Sequence, residues 1–263
     1  MLYEEFLLVY GAQVIDGNWW RDFENNLGKL DLVDFYERCH TEIPDSIWKE
    51  YHQHKGSGLP NGVSWHPVGN RLDSLYFVLN AVMGQWIAEI SMIFHRSPCL
   101  QLPQDAFYIT FNYTNVLEYV YQIPKENILH IHGSLENGDK LIFGHGLNSA
   151  EMEYQYDDKE IPMPQDEDVQ KIAIAFGKEQ KKTYEYMAKY HEIFSSLSDV
   201  EHICALGFSF SEVDAPYITS IRGAAPKARW TISYHDEEKR AQFEDAIRTN
   251  CLGPVLPIEF FKL

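Results

Sequence analysis

From Ala106 onward the chain repeats one pattern that few folds accommodate: a short apolar run, a cluster of turn residues, then a segment of helical periodicity. The apolar runs fall at 106–111, 128–131, 141–143, 203–206, 230–234 and 258–261. Each has strand length and is bounded by turn formers. Several are apolar throughout instead of alternating, the texture of a strand covered on both faces. Segments 114–121, 183–197, 215–222 and 237–248 read as helices between them. Strands alternating with helices predict an α/β fold, with a mostly parallel sheet and helices on both faces.

Residues 12–100 have a different texture and read as a helical insertion or subdomain. Trp20, Phe23, Glu24, Leu27 and Leu30 recur at three- and four-residue steps, one face of a helix. A loop rich in Gly, Pro and Asn covers 56–70. The apolar segment 75–94 follows and ends near Pro98. It approaches spanning length, but Asn80, Gln85 and Glu89 interrupt it, so it reads as a buried helix rather than a membrane anchor. The 263 residues fit a single α/β domain over 1–263 with its sheet core at 101–263. An acidic insert at 151–170, carrying Glu151, Glu153, Asp157 and Asp158, reads as an exposed loop. Trp19, Trp20, Trp48 and Trp86 read as core, with a homo-oligomer surface as the alternative.

The formal net charge of −17 is the reverse of a nucleic-acid footprint, so nucleic acid is not an expected partner. The lysine-rich stretch at 178–182 reads as a solvated helix face. Cys39, Cys99, Cys204 and Cys251 contain no CxxC pair, which argues against a zinc ribbon or a redox dithiol. Scattered thiols fit a reducing compartment. Glu4 and Glu5 stand where a signal peptide carries Lys or Arg. A cytoplasmic location is expected.

Three segments place polar residues after predicted strands, where open α/β sheets bind ligands. The first runs from Tyr108 to Asn115. Asn115 with Glu118 makes a capping-box pattern, which accounts for Thr114 or Asn115 but not for Asn112, free to face a ligand. The second is Ile128-Leu-His-Ile-His-Gly-Ser134. His130 and His132 are two apart and share a strand face. With His145 they could ligate a metal. Alternatively one is a general base, its ordinary pKa being near neutral. A hydrogen-bonded core histidine fits His130 better than His132, and Gly133 permits a close approach to the backbone. The third is 204–214, where Ser209, Ser211 and Asp214 follow a strand ending at Gly207. Asp214 before Pro216 reads as a helix cap, and with Ser209 as a contact to a ribose or adenine. Ala175-Phe-Gly-Lys178 lacks the first glycine and the Ser or Thr of a phosphate loop, and there is no HExxH or nucleophile elbow.

In order along the chain, Thr110-Phe-Asn-Tyr-Thr114 with Leu117-Glu118, then His130-Ile-His-Gly-Ser134, Phe143-Gly-His-Gly146 and Gly207-Phe-Ser-Phe-Ser211 with Asp214 resemble the AbiH family of bacteriophage abortive-infection proteins. Trp20 to Glu24 resembles the family's Trp-x-x-x-Glu helix. The family is similar to the sirtuin-like domains of bacterial defence systems, so the resemblance implies a sirtuin-like, Rossmann-like sheet. It also implies catalytic roles: His132 as a base toward the ribose hydroxyls or the attacking water, and Asn112 orienting ribose or water. It extends nucleotide contacts to Thr110, Tyr113, Thr114, Gly133, Ser134, Gly144, His145, Gly207, Ser209 and Asp214. NAD or a related nucleotide is then the expected ligand or substrate, with no further cofactor required. Thr114 stands where sirtuin-like enzymes carry an acid, and Asn115 where AbiH members carry Asp. Family members open on a strand and a Gly-Asn-Gly-Phe-Asp type loop that holds phosphates on backbone N–H groups. This chain begins close to the following helix, at Tyr3 and Phe6, and reads as lacking the loop.

Three functions compete on this reading. The first is a defence enzyme that cleaves NAD or a related nucleotide at its N-glycosidic bond. The second is a non-catalytic nucleotide sensor or partner module of a defence system. The third is a metal-dependent nuclease or hydrolase on His130, His132 and His145.

Overall fold

The computed structural model describes residues 26–27, 35, 38, 41–54, 67–91, 98, 100–146, 176–177, 180–237, 240–249 and 258–263. Helices come first. Helix α1 spans Asp45–His54 and starts where the amides of Ile47 and Trp48 bond the carbonyl of Pro44. Asp45 in its first turn complements the positive end of the helix dipole. Trp48 is buried, as the core reading of the tryptophans requires, whereas Trp86 is exposed. Helix α2 spans Pro67–Ser91 and opens on proline, whose missing N–H matters least in a first turn. Leu75, Leu79 and Ile87 form its buried stripe. Gln85 donates to Glu89 Oε1 at 3.0 Å on the exposed side, so these two polar interruptions satisfy each other. Among the described residues no helix is long and apolar enough to cross a membrane. The expected loop at 56–70 yields to α2 from Pro67 onward. Of the expected helix at 20–30, Asn26 and Leu27 are helical and the remainder lies outside the described residues, as does the acidic insert at 151–170.

The chain divides into two compact units, Met1–Gln180 and Lys181–Leu263. In the first, strand β1 (Tyr108–Thr110), helix α3 (Val116–Tyr119) and strand β2 (Ile128–His130) follow the helices. The strands pair in parallel, Tyr108 opposite Ile128 and Thr110 opposite His130. The run at 141–143 does not become a strand. The Ile142 N–H donates to the His132 carbonyl at 3.0 Å, and its carbonyl accepts the Tyr113 hydroxyl at 2.9 Å. With both main-chain groups engaged by a turn and a side chain, none is left for a ladder. Leu129, Ile131, Ile142 and Phe176 are buried in this unit.

The second unit holds α4 (Thr183–Lys189), α5 (His191–Ser195), β3 (His202–Ala205), α6 (Ala215–Ala224), β4 (Arg229–Tyr234), α7 (Arg240–Ile247) and β5 (Ile258–Lys262). Its strands lie in the order β3-β4-β5, all parallel. Successive parallel strands need crossovers, and α6 and α7 supply them. The single helix expected at 183–197 breaks at Tyr190, whose φ of −105° and ψ of 21° leave helical geometry. Central β4 buries Trp230, Ile232, Ser233 and Tyr234. Strand β3 departs from the expected cover on both faces, because His202 and Cys204 are exposed. On that open side His202 Nε2 meets Thr231 Oγ1 at 2.7 Å. Partial desolvation pushes the Cys204 thiol above its ordinary pKa. The protein is thus mixed α/β with short parallel strands in small sheets.

Candidate functional site

Thr110 and His130 are partners at the carboxyl ends of two parallel strands, so the segments after them leave from one edge. Thr110 is buried, and its Oγ1 accepts the Asn112 N–H at 3.2 Å. This small turn closes β1 and leaves Asn112 exposed. Phe111 meets the His132 ring edge-on with centroids 5.1 Å apart, and the Tyr113 ring lies 6.2 Å from it. His132 is buried at 2% exposure. Thr114 is half-buried.

The two histidines do not share a strand face. Strand β2 ends at His130, and the Gly133 N–H returns to the His130 carbonyl at 3.1 Å. Gly133 has φ of +79°, and a Cβ there would sit 2.7 Å from the Lys140 carbonyl oxygen. The close approach that Gly133 permits is therefore made by the chain itself. Beyond the turn the histidines part: His132 packs against aromatic rings and His130 joins a polar network.

In that network His130 Nε2 lies 2.9 Å from Glu118 Oε1, and Nδ1 lies 3.4 Å from the Asn112 carbonyl oxygen. Asn115 Nδ2 donates to Glu118 Oε1 at 2.7 Å and reaches Asn137 Oδ1 at 3.4 Å. The Ser134 hydroxyl donates to Asn115 Oδ1, and the Ser134 N–H donates to Asp139 Oδ2 at 3.1 Å. Asn115, His130 and Ser134 are all buried. This corrects the capping reading. Asn115 is the residue before α3, but its side chain makes no capping bond. Its amide is held by Glu118 and Ser134 instead. Nearby, the Tyr119 phenol is pushed above its ordinary pKa by its hydrogen bond to Glu136.

Elsewhere in the first unit His145 is fully buried, stacked on Phe176 at 4.1 Å, with Nε2 3.1 Å from the Phe176 carbonyl oxygen. Gly144 precedes it, also buried. His130, His132 and His145 do not gather as ligands. Among the described residues no three His, Cys, Asp or Glu side chains are grouped to hold a metal ion.

In the second unit Gly207, two residues past the end of β3, has φ of +60°, and its N–H donates to Ser233 Oγ at 2.8 Å. Ser209 is exposed. Phe210 has φ of +54°, a strained backbone for a bulky residue. Edge-on contacts to Phe208 at 4.9 Å and Phe243 at 5.9 Å hold it in place. Asp214 stands before α6 but makes no capping bond. Its Oδ1 accepts Lys181 Nζ at 2.9 Å, with the lysine side chain 0% and the aspartate side chain 9% exposed. Both the cap at Asp214 and the solvated face at 178–182 are thus corrected at this pair. Lys182, one residue on, is exposed and pairs with Glu185.

Glu118 and Lys181 are the residues that reading the sequence missed. Glu118 entered as a helix-cap partner and as part of the family motif, without a site role, and Lys181 stood beside Lys182, which does reach solvent.

The geometry defines a class: a mixed α/β protein with short parallel strands, two of which, β1 and β2, end in buried polar residues. The chain belongs to the AbiH family. The model described as bacteriophage abortive infection AbiH matches residues 2–234, from near the start of the chain to the last residue of β4. No curated protein and no solved structure matches it. Family membership makes it a phage abortive-infection defence protein.

Proposed function

We propose that this AbiH protein binds NAD or a related nucleotide in a sirtuin-like site and cleaves its N-glycosidic bond. The observation that carries the reading is the common edge of β1 and β2. There an exposed Asn112 follows one strand and the buried His132 follows the other, joined through the Phe111 ring. Open α/β sheets bind ligands at that edge.

In the reaction the bond between C1′ of the ribose and the pyridinium nitrogen breaks. Its electron pair leaves with neutral nicotinamide. The oxocarbenium-like ribose is then attacked by water, which forms a C–O bond at C1′ and gives up a proton to His132. Asn112 orients the water or the ribose hydroxyls. Positioned dipoles stabilise such a cation without a covalent nucleophile. His130 is engaged at both ring nitrogens by Glu118 and the Asn112 carbonyl, which disfavours it as the base.

Losing a general base costs about 10²–10⁴-fold in rate. The test is nicotinamide release from NAD by the wild type, His132→Ala and Asn112→Ala. Release that collapses in His132→Ala while His130→Gln retains it supports the assignment. Equal release from wild type and His132→Ala removes it. Nucleotide binding without release leaves a sensor in place of an enzyme.

A further inference from the structure

Glu118 carries a buried acceptor that the fold leaves open. Its side chain is 7% exposed. One oxygen, Oε1, takes two donors: His130 Nε2 at 2.9 Å and Asn115 Nδ2 at 2.7 Å. The other, Oε2, is buried and meets no hydrogen-bond partner among the described residues. A carboxylate accepts at both oxygens, and a buried one satisfied on a single side calls for water, an ion or a ligand. The carboxylate cannot readily turn Oε2 toward its neighbours, because His130 from β2 and Asn115 from the start of α3 fix Oε1 from two directions.

The place adds to the case. Glu118 is on α3, which leaves the carboxyl end of β1, and its partner His130 closes β2. His130 also reaches the carbonyl of Asn112. Glu118 therefore stands at the edge where the nucleotide is proposed to bind. What its open oxygen lacks is a donor, and a ribose hydroxyl can supply one in a short, charge-assisted O–H···O⁻ bond.

We propose that Glu118 Oε2 accepts a hydrogen bond from a ribose hydroxyl of the bound nucleotide. This makes Glu118 a binding residue beside Asn112 and His132, and it rests on the nucleotide reading given above. The test is calorimetric titration with ADP-ribose and with its analogue lacking the 2′ and 3′ hydroxyls of the terminal ribose. Wild type and Glu118→Gln are compared, the glutamine keeping an acceptor for Asn115. A charge-assisted bond predicts about a tenfold or greater loss of affinity for the analogue in wild type. Glu118→Gln should lose a similar factor for ADP-ribose and nothing further for the analogue. Equal wild-type affinity for both ligands overturns the proposal and requires no variant to fold. A wild type that binds neither ADP-ribose nor NAD removes the nucleotide reading itself, and Glu118's role with it.

Discussion

Both units set polar side chains after parallel strands, and they satisfy them by different physics. In the first unit Ser134, Asn115, Glu118 and His130 form a chain of hydrogen bonds drawn from both strand ends and α3. In the second, one buried ion pair between Lys181 and Asp214 takes that place, beside a strained Phe210 wedged between two rings. Breaking a buried ion pair strands a charge. A hydrogen-bond chain is graded, because a neutral member such as Ser134 can be lost for the cost of one donor or acceptor. It can also end in an open group, as it does at Glu118 Oε2. The first unit is therefore the better candidate for chemistry, and the pair in the second is better placed to fix structure.

The sharpest way to break the contrast is Lys181→Met. Removing one partner of a buried pair costs about 3–5 kcal/mol, so denaturant unfolding should shift strongly. The double variant Lys181→Met with Asp214→Leu should recover most of that loss, since it removes both charges. A single variant as stable as wild type would make the pair dispensable.

Gly133→Ala should come next. It forces an alanine to φ of +79° and drives its Cβ to 2.7 Å from a main-chain oxygen. The left-handed backbone and the clash together predict a loss of about 2–3 kcal/mol, read in the same unfolding assay.

Ser134→Ala removes the donor to Asn115 Oδ1 and should cost about 1–2 kcal/mol. The graded character of the network requires this to be well below the Lys181→Met effect. Equal losses would erase the distinction between the two units.

The smallest effect is a titration. The Tyr234 hydroxyl donates to Glu237, which raises its pKa above the ordinary value of 10.0. Only the neutral phenol makes that bond. Its stabilisation is fully present below the unfolded value and is lost as pH rises through the folded one. The tyrosinate absorbance of wild type minus Tyr234→Phe should therefore appear at a higher pH than an ordinary tyrosine, and Glu237→Gln should bring it back down.

Much of this was legible in the sequence, and the gaps share a cause. Five of the six apolar runs became strands because burial of a short apolar segment is written locally. The run at 141–143 failed because its main-chain partners, His132 and Tyr113, arrive from elsewhere in the chain. Asn115 and Asp214 both had the local grammar of helix caps, yet neither makes a capping bond and each also has a partner far along the chain. Ser134 lies 19 residues from Asn115, and Lys181 lies 33 from Asp214. Lys181 and Lys182 are neighbours of identical type, one buried and one exposed. Only the packing around Asp214 separates them. The ordered motifs did reveal the family, because several short motifs in a fixed order are more specific than any one of them.

The central claim is that the nicotinamide–ribose bond is the one that breaks, and identifying the products by mass spectrometry after incubation with NAD in ¹⁸O-labelled water tests it most directly. The account predicts free nicotinamide and ADP-ribose carrying the label at C1′, both lost in His132→Ala. Intact NAD, or cleavage to AMP and nicotinamide mononucleotide, would contradict it.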